Sequence, residues 1–435
     1  MRYLNMKKLT AIAVGFGGRC AVYCDYAKKH PDELEIVAAA DPSPVRQRVA
    51  HEEYKVPKDQ LYNTWEDLAA QPKMADFAII GTQDNLHYAP AMALIEKGYN
   101  LLLEKPMAPT AKECKDITEA AERKGVKVVV CHVLRFTPYW RAIKQVIDEG
   151  RLGKIVSIVA MENVGHHHQV SSYVRGPWRN TADSSCMLMA KCCHDLDILQ
   201  WLIGKKCTRV QSFGGLFYFK HENRPEGAPD YCIDGCPHGE TCHYNAVKFY
   251  LEDEVTNEWF VKHHLPSRNN TPITDREALK LDEYGRCVFA CNNDVVDHQV
   301  VNLEYEDGAT VSFTMCGFNK GGRHIRIFGT DGELVGSMGK KELELFTFGS
   351  MRWKDPEQKW EKIPVPDPED DNYYGHGGGD TGIMIDILSL LRGETPSDSV
   401  CDVRISYENH IAGFAAEESR LTGKVISIEE YDKSI

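Results

Sequence analysis

The run Ala11-Ile-Ala-Val-Gly-Phe-Gly-Gly-Arg-Cys20 constrains the fold more than any other part of the chain. An apolar stretch, Leu9 to Val14, reads as a buried strand and passes directly into Gly15-Phe16-Gly17-Gly18, with helix-like residues following through Lys29. Gly15 permits a tight turn, and Gly17 lets the backbone approach a pyrophosphate seated on the N-terminus of the next helix. A second apolar strand, Leu34 to Ala40, ends in Asp41, at the distance where an acidic side chain meets ribose hydroxyls. The third glycine of such a fingerprint is Cys20 here, small enough for close helix–strand packing. A glycine pair alone says little; strand, turn, helix, strand and acid in that order predict a dinucleotide site. Its expected contacts are Gly15, Phe16, Gly17, Gly18, Arg19 and Asp41. Arg46 is placed to cover the adenine or accept a 2′-phosphate. Asp41 repels that phosphate, so the cofactor expected is NAD.

Strand and helix patterns go on alternating to about residue 133. Ala75 to Gly81 and Asn100 to Leu103 are short continuous apolar runs, as buried parallel strands require. Ala89 to Lys97 and Ala111 to Lys124 carry helical spacing, and Val126 to Cys131 returns to strand. Residues 1–133 therefore read as a doubly wound nucleotide-binding domain. Thr82 and His87 bracket the loop after its fourth strand, an expected wall of the nicotinamide site. Glu104-Lys105-Pro106 stands at the carboxyl end of another strand, where open α/β sheets bind ligands.

At 435 residues the chain is too long for one ordinary core. Beyond Arg135 the pattern changes. A helix over Pro138 to Glu149 leads to strand-like Ile155 to Glu162, a helix from His194 to Ile203, and strand-like Arg209 to Phe219. Val300 to Tyr305 and Thr310 to Met315 flank a hairpin turn, as do Arg323 to Phe328 and Glu333 to Ser337. Gly375 to Leu391 and Val403 to Leu421 read as closing helices. The class is α/β overall, with a second domain (134–435) of α+β type built on a large, mostly antiparallel open sheet. An open sheet with one uncovered face favours a homo-oligomer.

A Rossmann domain, then Glu104-Lys105-Pro106, then such a sheet domain resembles the glucose–fructose oxidoreductase / inositol dehydrogenase / rhizopine catabolism (Gfo/Idh/MocA) family over nearly the whole chain. His194-Asp-Leu-Asp197 adds to the resemblance, and Arg175-Gly-Pro-Trp178-Arg179 with His376-Gly-Gly-Gly-Asp380 looks like a sugar-acting branch. The resemblance implies that Lys105 bonds the hydroxyl being oxidised and, with Glu104, helps hold the nicotinamide. Oxidising a secondary alcohol also needs a base for the hydroxyl proton; His194 titrates near working pH and is the candidate, with Asp197 on the same helical face to orient it. Inositol-type members carry an aspartate four residues before this histidine. This chain has Ala190 there, and Lys191 next door is a candidate second base or hydroxyl donor.

Several residues suit a polyhydroxylated ligand. Trp178 offers an apolar ring face, and Arg135, Arg175 and Arg179 offer planar donor forks. His376 and Asp380 flank three glycines, where backbone can approach a ligand. Of His166, His167 and His168, consecutive strand residues facing opposite ways, one can reach the pocket, and His168 is the choice. The expected reaction is NAD-dependent hydride transfer from a sugar, glycoside or cyclic polyol. Two alternatives stay open: glycoside hydrolysis by oxidation, elimination, hydration and reduction with NAD recycled in place, and a non-catalytic sugar or NAD sensor.

Residues 222–291 look like an insertion, rich in turn formers and carrying Cys232-x-x-x-Cys236-x-x-x-x-x-Cys242 and then Cys287. Thiolates so dense in a polar segment are candidates for a structural zinc, an iron–sulfur cluster being the other option. A net charge of −13 without a basic block argues against nucleic acid. No segment is apolar enough to span a membrane, and many of the fifteen cysteines lie in apolar periodic stretches, so a cytoplasmic protein with reduced thiols is expected.

Overall fold

The computed structural model describes residues 7–257, 274–349, 359–367 and 376–435. Six parallel strands make the first sheet: β1 (Leu9–Val14), β2 (Leu34–Ala40), β3 (Leu61–Tyr62), β4 (Phe77–Ile80), β5 (Asn100–Leu103) and β6 (Val128–Val130). Their spatial order is β3-β2-β1-β4-β5-β6, so the winding reverses between β1 and β4. A crevice opens beyond the carboxyl ends of strands at such a reversal, and the glycine turn follows β1 at that point. Gly15 has φ +76°, and a Cβ there would sit 2.7 Å from the Thr82 methyl carbon and 2.9 Å from its Cα. Cys20, in the third-glycine position, packs so closely on the end of β4 that a Cβ at Gly81 would lie 2.9 Å from its own Cβ.

The second sheet has nine strands: β7 (Ile155–Asn163), β8 (Cys207–Gly215), β9 (His298–Tyr305), β10 (Thr310–Cys316), β11 (Gly322–Gly329), β12 (Gly332–Ser337), β13 (Glu342–Thr347), β14 (Glu361–Lys362) and β15 (Ile426–Ser427). Their order is β14-β13-β12-β11-β7-β10-β9-β8-β15, antiparallel except where β7 pairs with β10. Along β9 and β10, Val301, Leu303, Tyr305, Val311, Phe313 and Met315 are buried in strict alternation, the period of a sheet with one packed face. Two helices, Met187–Ile203 and Val403–Thr422, share that core.

Three sequence expectations need correction. The helix predicted to open at His194 begins at Met187, which puts His194 in its interior. Its first turns, Met-Leu-Met-Ala-Lys-Cys-Cys, are buried on nearly every side, so they carry no amphipathic signal. His166 to His168 form a helical turn running into a π-helical segment, Gln169–Val174, not a strand. The helix expected from Gly375 starts at Gly379, residue 375 lying outside the described residues, and it does not close the second domain. Ile383, Met384, Ile387 and Leu388 pack into the nucleotide-binding core beside Ala11, Tyr23 and Val129. A boundary at residue 133 therefore omits a helix that the first domain recovers late in the chain.

Candidate active site

Lys105 follows β5 into the crevice, and its Nζ donates to the Ala190 carbonyl at 2.9 Å. Ala190 lies one helical turn before His194, so the amine from one domain and the imidazole from the other meet on one helix face. His194 is 6 % exposed, and its Nδ1 has no hydrogen-bond partner among the described residues. Burial, then the charge of Lys105, then His376 and His132 hold its pKa well below that of a free imidazole. At neutral pH it is therefore uncharged and able to accept a proton.

Glu104 serves as an anchor. Its Oε1 accepts from Arg19 Nε (2.9 Å) and the Tyr23 hydroxyl (2.6 Å), and its Oε2 accepts from the Lys105 amide at 2.9 Å. Burial opposes its ionisation, but Arg19 and Lys105 outweigh burial and keep it a carboxylate. Arg19 also donates to Asp380 Oδ1 at 2.6 Å, and Asp380 Oδ2 lies 3.3 Å from His376 Nδ1. The His376 ring is 5.9 Å from that of His194, so His376 and Asp380 close one side of the site. Asp41 is 2 % exposed; its Oδ1 accepts from the Ser43 amide and its Oδ2 is 3.4 Å from Arg46 Nη1.

The opposite wall comes from the second sheet. Lys191 Nζ lies 3.2 Å from Glu162 Oε1, and Arg323 Nε bridges Glu162 Oε2 (2.9 Å) and Asp195 Oδ1 (2.7 Å). Burial raises the Asp195 pKa, Arg323 opposing the shift and Glu162 adding to it. His168 stands within reach of both lysines: burial first, then Lys191, His167 and Lys105, keep it uncharged. Trp178 bridges the domains, its Nε1 donating to Asp84 Oδ1 at 3.0 Å. Asp84 belongs to the same loop as Thr82 and His87, and His87 is pinned between the carbonyls of Pro106 (2.7 Å) and Thr82 (3.1 Å).

Four expected residues turn elsewhere. Asp197 does not orient His194: Arg135 grips it with two bonds of 2.6 Å, and Asn409 Nδ2 donates to it at 2.6 Å. Burial opposes ionisation of Asp197, and Arg135 outweighs it. Arg135 is thereby consumed and offers no fork to a ligand. Arg175, 1 % exposed, donates to the carbonyls of Arg286 and Tyr244, both at 2.7 Å, in the cysteine-rich insertion. Arg179 bonds Asn292 and the Gly176 carbonyl. A buried guanidinium must spend its donors on the protein, as Arg135 and Arg175 do, and half-buried Arg179 does the same. Among the described residues, His132, Asp197 and Cys401 bring ligand atoms within 4.8 Å of one another. Arg135 already fills the cation's place there, so this cluster is an ion-pair network. Cys232, Cys236, Cys242 and Cys287 line one cavity, but their sulfurs do not stand in a ready tetrahedron.

Sequence reasoning missed Glu162, Arg323, Asp195, His132 and Asp84. Asp195 sits inside the quoted His194-to-Asp197 motif; the others carry no spacing signal, because the fold gathers them from separate elements.

Comparison with known proteins agrees with this architecture. Residues 9–132 match the model of an oxidoreductase family's NAD-binding Rossmann fold, and residues 144–397 match the same family's C-terminal alpha/beta domain. The chain is 25 % identical to the Bacillus subtilis oxidoreductase-family protein YteT over 331 residues, 72 % of each chain. It is 27 % identical over 190 residues to the 2,7-anhydro-N-acetylneuraminate hydratase of Mediterraneibacter gnavus, 43 % of this chain and 47 % of that protein. By fold it resembles levoglucosan dehydrogenase solved with NADH and levoglucosan (TM-score 0.69, 16 % identity, covering 97 % of this chain and 100 % of that one). It also resembles the WlbA dehydrogenase of Bordetella pertussis with NADH and UDP-GlcNAcA (TM-score 0.64, 18 % identity, covering 98 % and 99 %). With both family models matched across most of its length, the chain belongs to the Gfo/Idh/MocA family of NAD-binding oxidoreductases.

Proposed function

We propose that this protein oxidises a secondary hydroxyl of a sugar, glycoside or cyclic polyol with NAD. The observation that carries the reading is the meeting of Lys105 and His194 across the domain boundary, beside the glycine turn. The cradle suits the cofactor. Around the positions a Cβ would take at Gly17 and Gly18 nothing comes nearer than 3.8 Å, leaving room for a pyrophosphate, and Asp41 waits at the ribose position. Bound NAD supplies the hydride acceptor. The protein's own part is to position the alcohol and move its proton. Lys105 donates to the substrate oxygen, exchanging the Ala190 carbonyl for it, and uncharged His194 accepts the hydroxyl proton as the carbon loses hydride. His376, His168, Lys191 and Trp178 surround that oxygen with donors and one apolar face, the composition a carbohydrate ring requires.

Purified protein with NAD and a panel of sugars, glycosides and polyols should generate reduced cofactor with at least one of them. A panel in which none does so overturns the reading. A redox-neutral variant has its own support in the Asp195–Arg323–Glu162–Lys191 cluster, which sets two buried carboxyls and a lysine together, burial raising the Asp195 pKa. These are the groups that deprotonating the carbon beside a newly formed ketone needs, and a relative is a hydratase. Deuterium from solvent appearing at that carbon, without net reduced cofactor, selects this variant. Self-association through the second sheet also belongs to the proposal, since Val159, Met161 and Phe213 remain exposed on its strands.

A further inference from the structure

Residues 222–257 and 274–291 hold little regular structure: short 3-10 and π-type turns, a helical stretch over 254–257 and the seven-residue helix Asp275–Leu281. Two small apolar groups hold the segment, Ala246, Tyr250, Leu279 and Tyr284 in one, and Val170, Val174, Phe219, Cys287, Val288 and Phe289 in the other. A segment with so little core ordinarily relies on a cross-link.

Four cysteines distant in sequence arrive at one cavity of about 210 Å³. Cys232 and Cys287 are brought together by backbone, through an isolated bridge between Tyr231 and Arg286, with the Cys232 amide donating to Gly285 and the Cys287 amide to Asp230. Cys236 and Cys242 are joined by a reverse turn in which the Gly239 amide donates to the Cys236 carbonyl and the Cys242 amide to that of His238. All four thiols are unbridged. His238 and His243 also line the cavity, and His238 Nε2 lies 2.8 Å from the Glu226 carbonyl; the four sulfurs are the donors of one kind.

The second observation is electrostatic. Arg175 is almost wholly buried, has no carboxylate partner among the described residues, and places Nη2 3.7 Å from Cys232 Sγ. Its Nε and Nη2 meet the carbonyls of Arg286 and Tyr244, and the neighbouring group in reach of Nη2 that can become an anion is the Cys232 thiol. The Tyr244 amide points at Cys242 Sγ at 3.4 Å, a contact that favours thiolate over thiol. Cysteine coordinates a metal as thiolate, so the incoming cation displaces each thiol proton as it binds.

We propose that Cys232, Cys236, Cys242 and Cys287 bind one thiophilic divalent cation, zinc by its chemistry, as a tetrathiolate whose negative charge Arg175 offsets. A tetrahedral zinc thiolate site needs sulfurs about 3.8 Å apart, from a Zn–S length of about 2.3 Å. The loop therefore closes when it binds, and Gly235, with φ +83°, lies in the turn that closes. Arg175 follows directly on the π-helical segment that succeeds His168. The ion thus staples the wall that presents His168 and Trp178 to the candidate active site. Its role is structural.

Metal analysis of the reduced full-length protein tests this directly. One equivalent of zinc per chain is expected, or, after removal of metal, one equivalent of Co²⁺ taken up with an intense thiolate-to-cobalt charge-transfer band and tetrahedral d–d bands. Cys236→Ser should lose that band while keeping NAD binding, and Cys316→Ser, outside the cavity, should keep it. Reduced protein that carries no metal and gives no thiolate–cobalt band overturns the proposal. So does iron with the broad visible absorption of a cluster, or a Cys236→Ser protein that binds cobalt unchanged. None of these readouts depends on turnover, so they stand or fall apart from the dehydrogenase reading.

Discussion

Lys105 donates to a main-chain carbonyl of the other domain, and that contact sets what its replacement should do. Lys105→Met removes the hydroxyl donor but leaves Glu104 clamped by Arg19 and Tyr23, so NAD should still bind while turnover falls by about 10²–10⁴-fold. Isothermal titration with NAD beside a rate assay checks both halves, and lost cofactor binding would refute the separation of roles. For His194 the sign of the pH effect follows from its environment. The imidazole acts as base only when uncharged, and burial with Lys105 lowers its pKa. The acid limb of kcat/KM should therefore fall below the ordinary imidazole value of about 6.5, and be absent in residual His194→Asn activity. A limb above that value would contradict the assignment. That Lys105 reaches the helix carrying His194 was legible in the sequence, because each candidate follows a recognisable pattern, a strand end and a His-Asp-Leu-Asp run. Arg135 and Asp197 were not, since no spacing tells a free guanidinium from one gripped by a carboxylate 62 positions away. Local sequence reports residue type; the partner that consumes a side chain comes from the fold.

The glycine turn shows how far an element can be read before it is seen. Strand, turn and helix fall where the apolar run and Gly15 place them, because a φ of +76° and the nearness of Thr82 admit no side chain. Gly15→Ala should cost about 1–2 kcal/mol from left-handed backbone alone, with a further loss from the contact at Thr82. A lowered thermal midpoint together with weakened NAD binding is the expected pair of results; unchanged values would show that the turn relaxes freely. The Met187–Ile203 helix was half legible for the opposite reason. Its C-terminal portion mixes polar and apolar residues, whereas its first turns are apolar apart from Lys191 and leave no periodicity to detect, although both portions are buried. The histidine turn at 166–168 was misread as strand because the apolar run of β7 leads almost up to it, and Gly165, at φ +88°, redirects the chain just before it.

Across the whole molecule, buried histidines tie the domains together and set the pH range of stability. His410 Nε2 accepts from the Met107 amide, and the His132 ring lies 5.7 Å from that of His410 and 6.0 Å from that of His194. Burial depresses the pKa of His132 to about 4 and of His410 to about 3, so the folded protein holds fewer protons there than the unfolded chain below pH 6.5. Their contribution is complete above that pH and is lost as pH falls toward 4. Asp195, whose pKa burial raises, takes up its proton more readily in the folded state, so it acts in the opposite sense as pH falls and offsets part of the loss. Unfolding free energies from denaturant titrations should decline steadily from pH 7 to pH 4.5, at a slope of up to about 1.4 kcal/mol per pH unit for each titrating histidine. A flat profile would mean that these imidazoles open to water before they protonate. The late helix Gly379–Leu391 bears on how the protein is made. Until the ribosome has released it, the nascent N-terminal half displays the greasy docking groove for Ile383, Met384 and Ile387 to the cytosol-like medium around it. Maturation of the nucleotide fold is thereby deferred to the last tenth of translation, and a nonsense codon just upstream of that helix disables both halves at once.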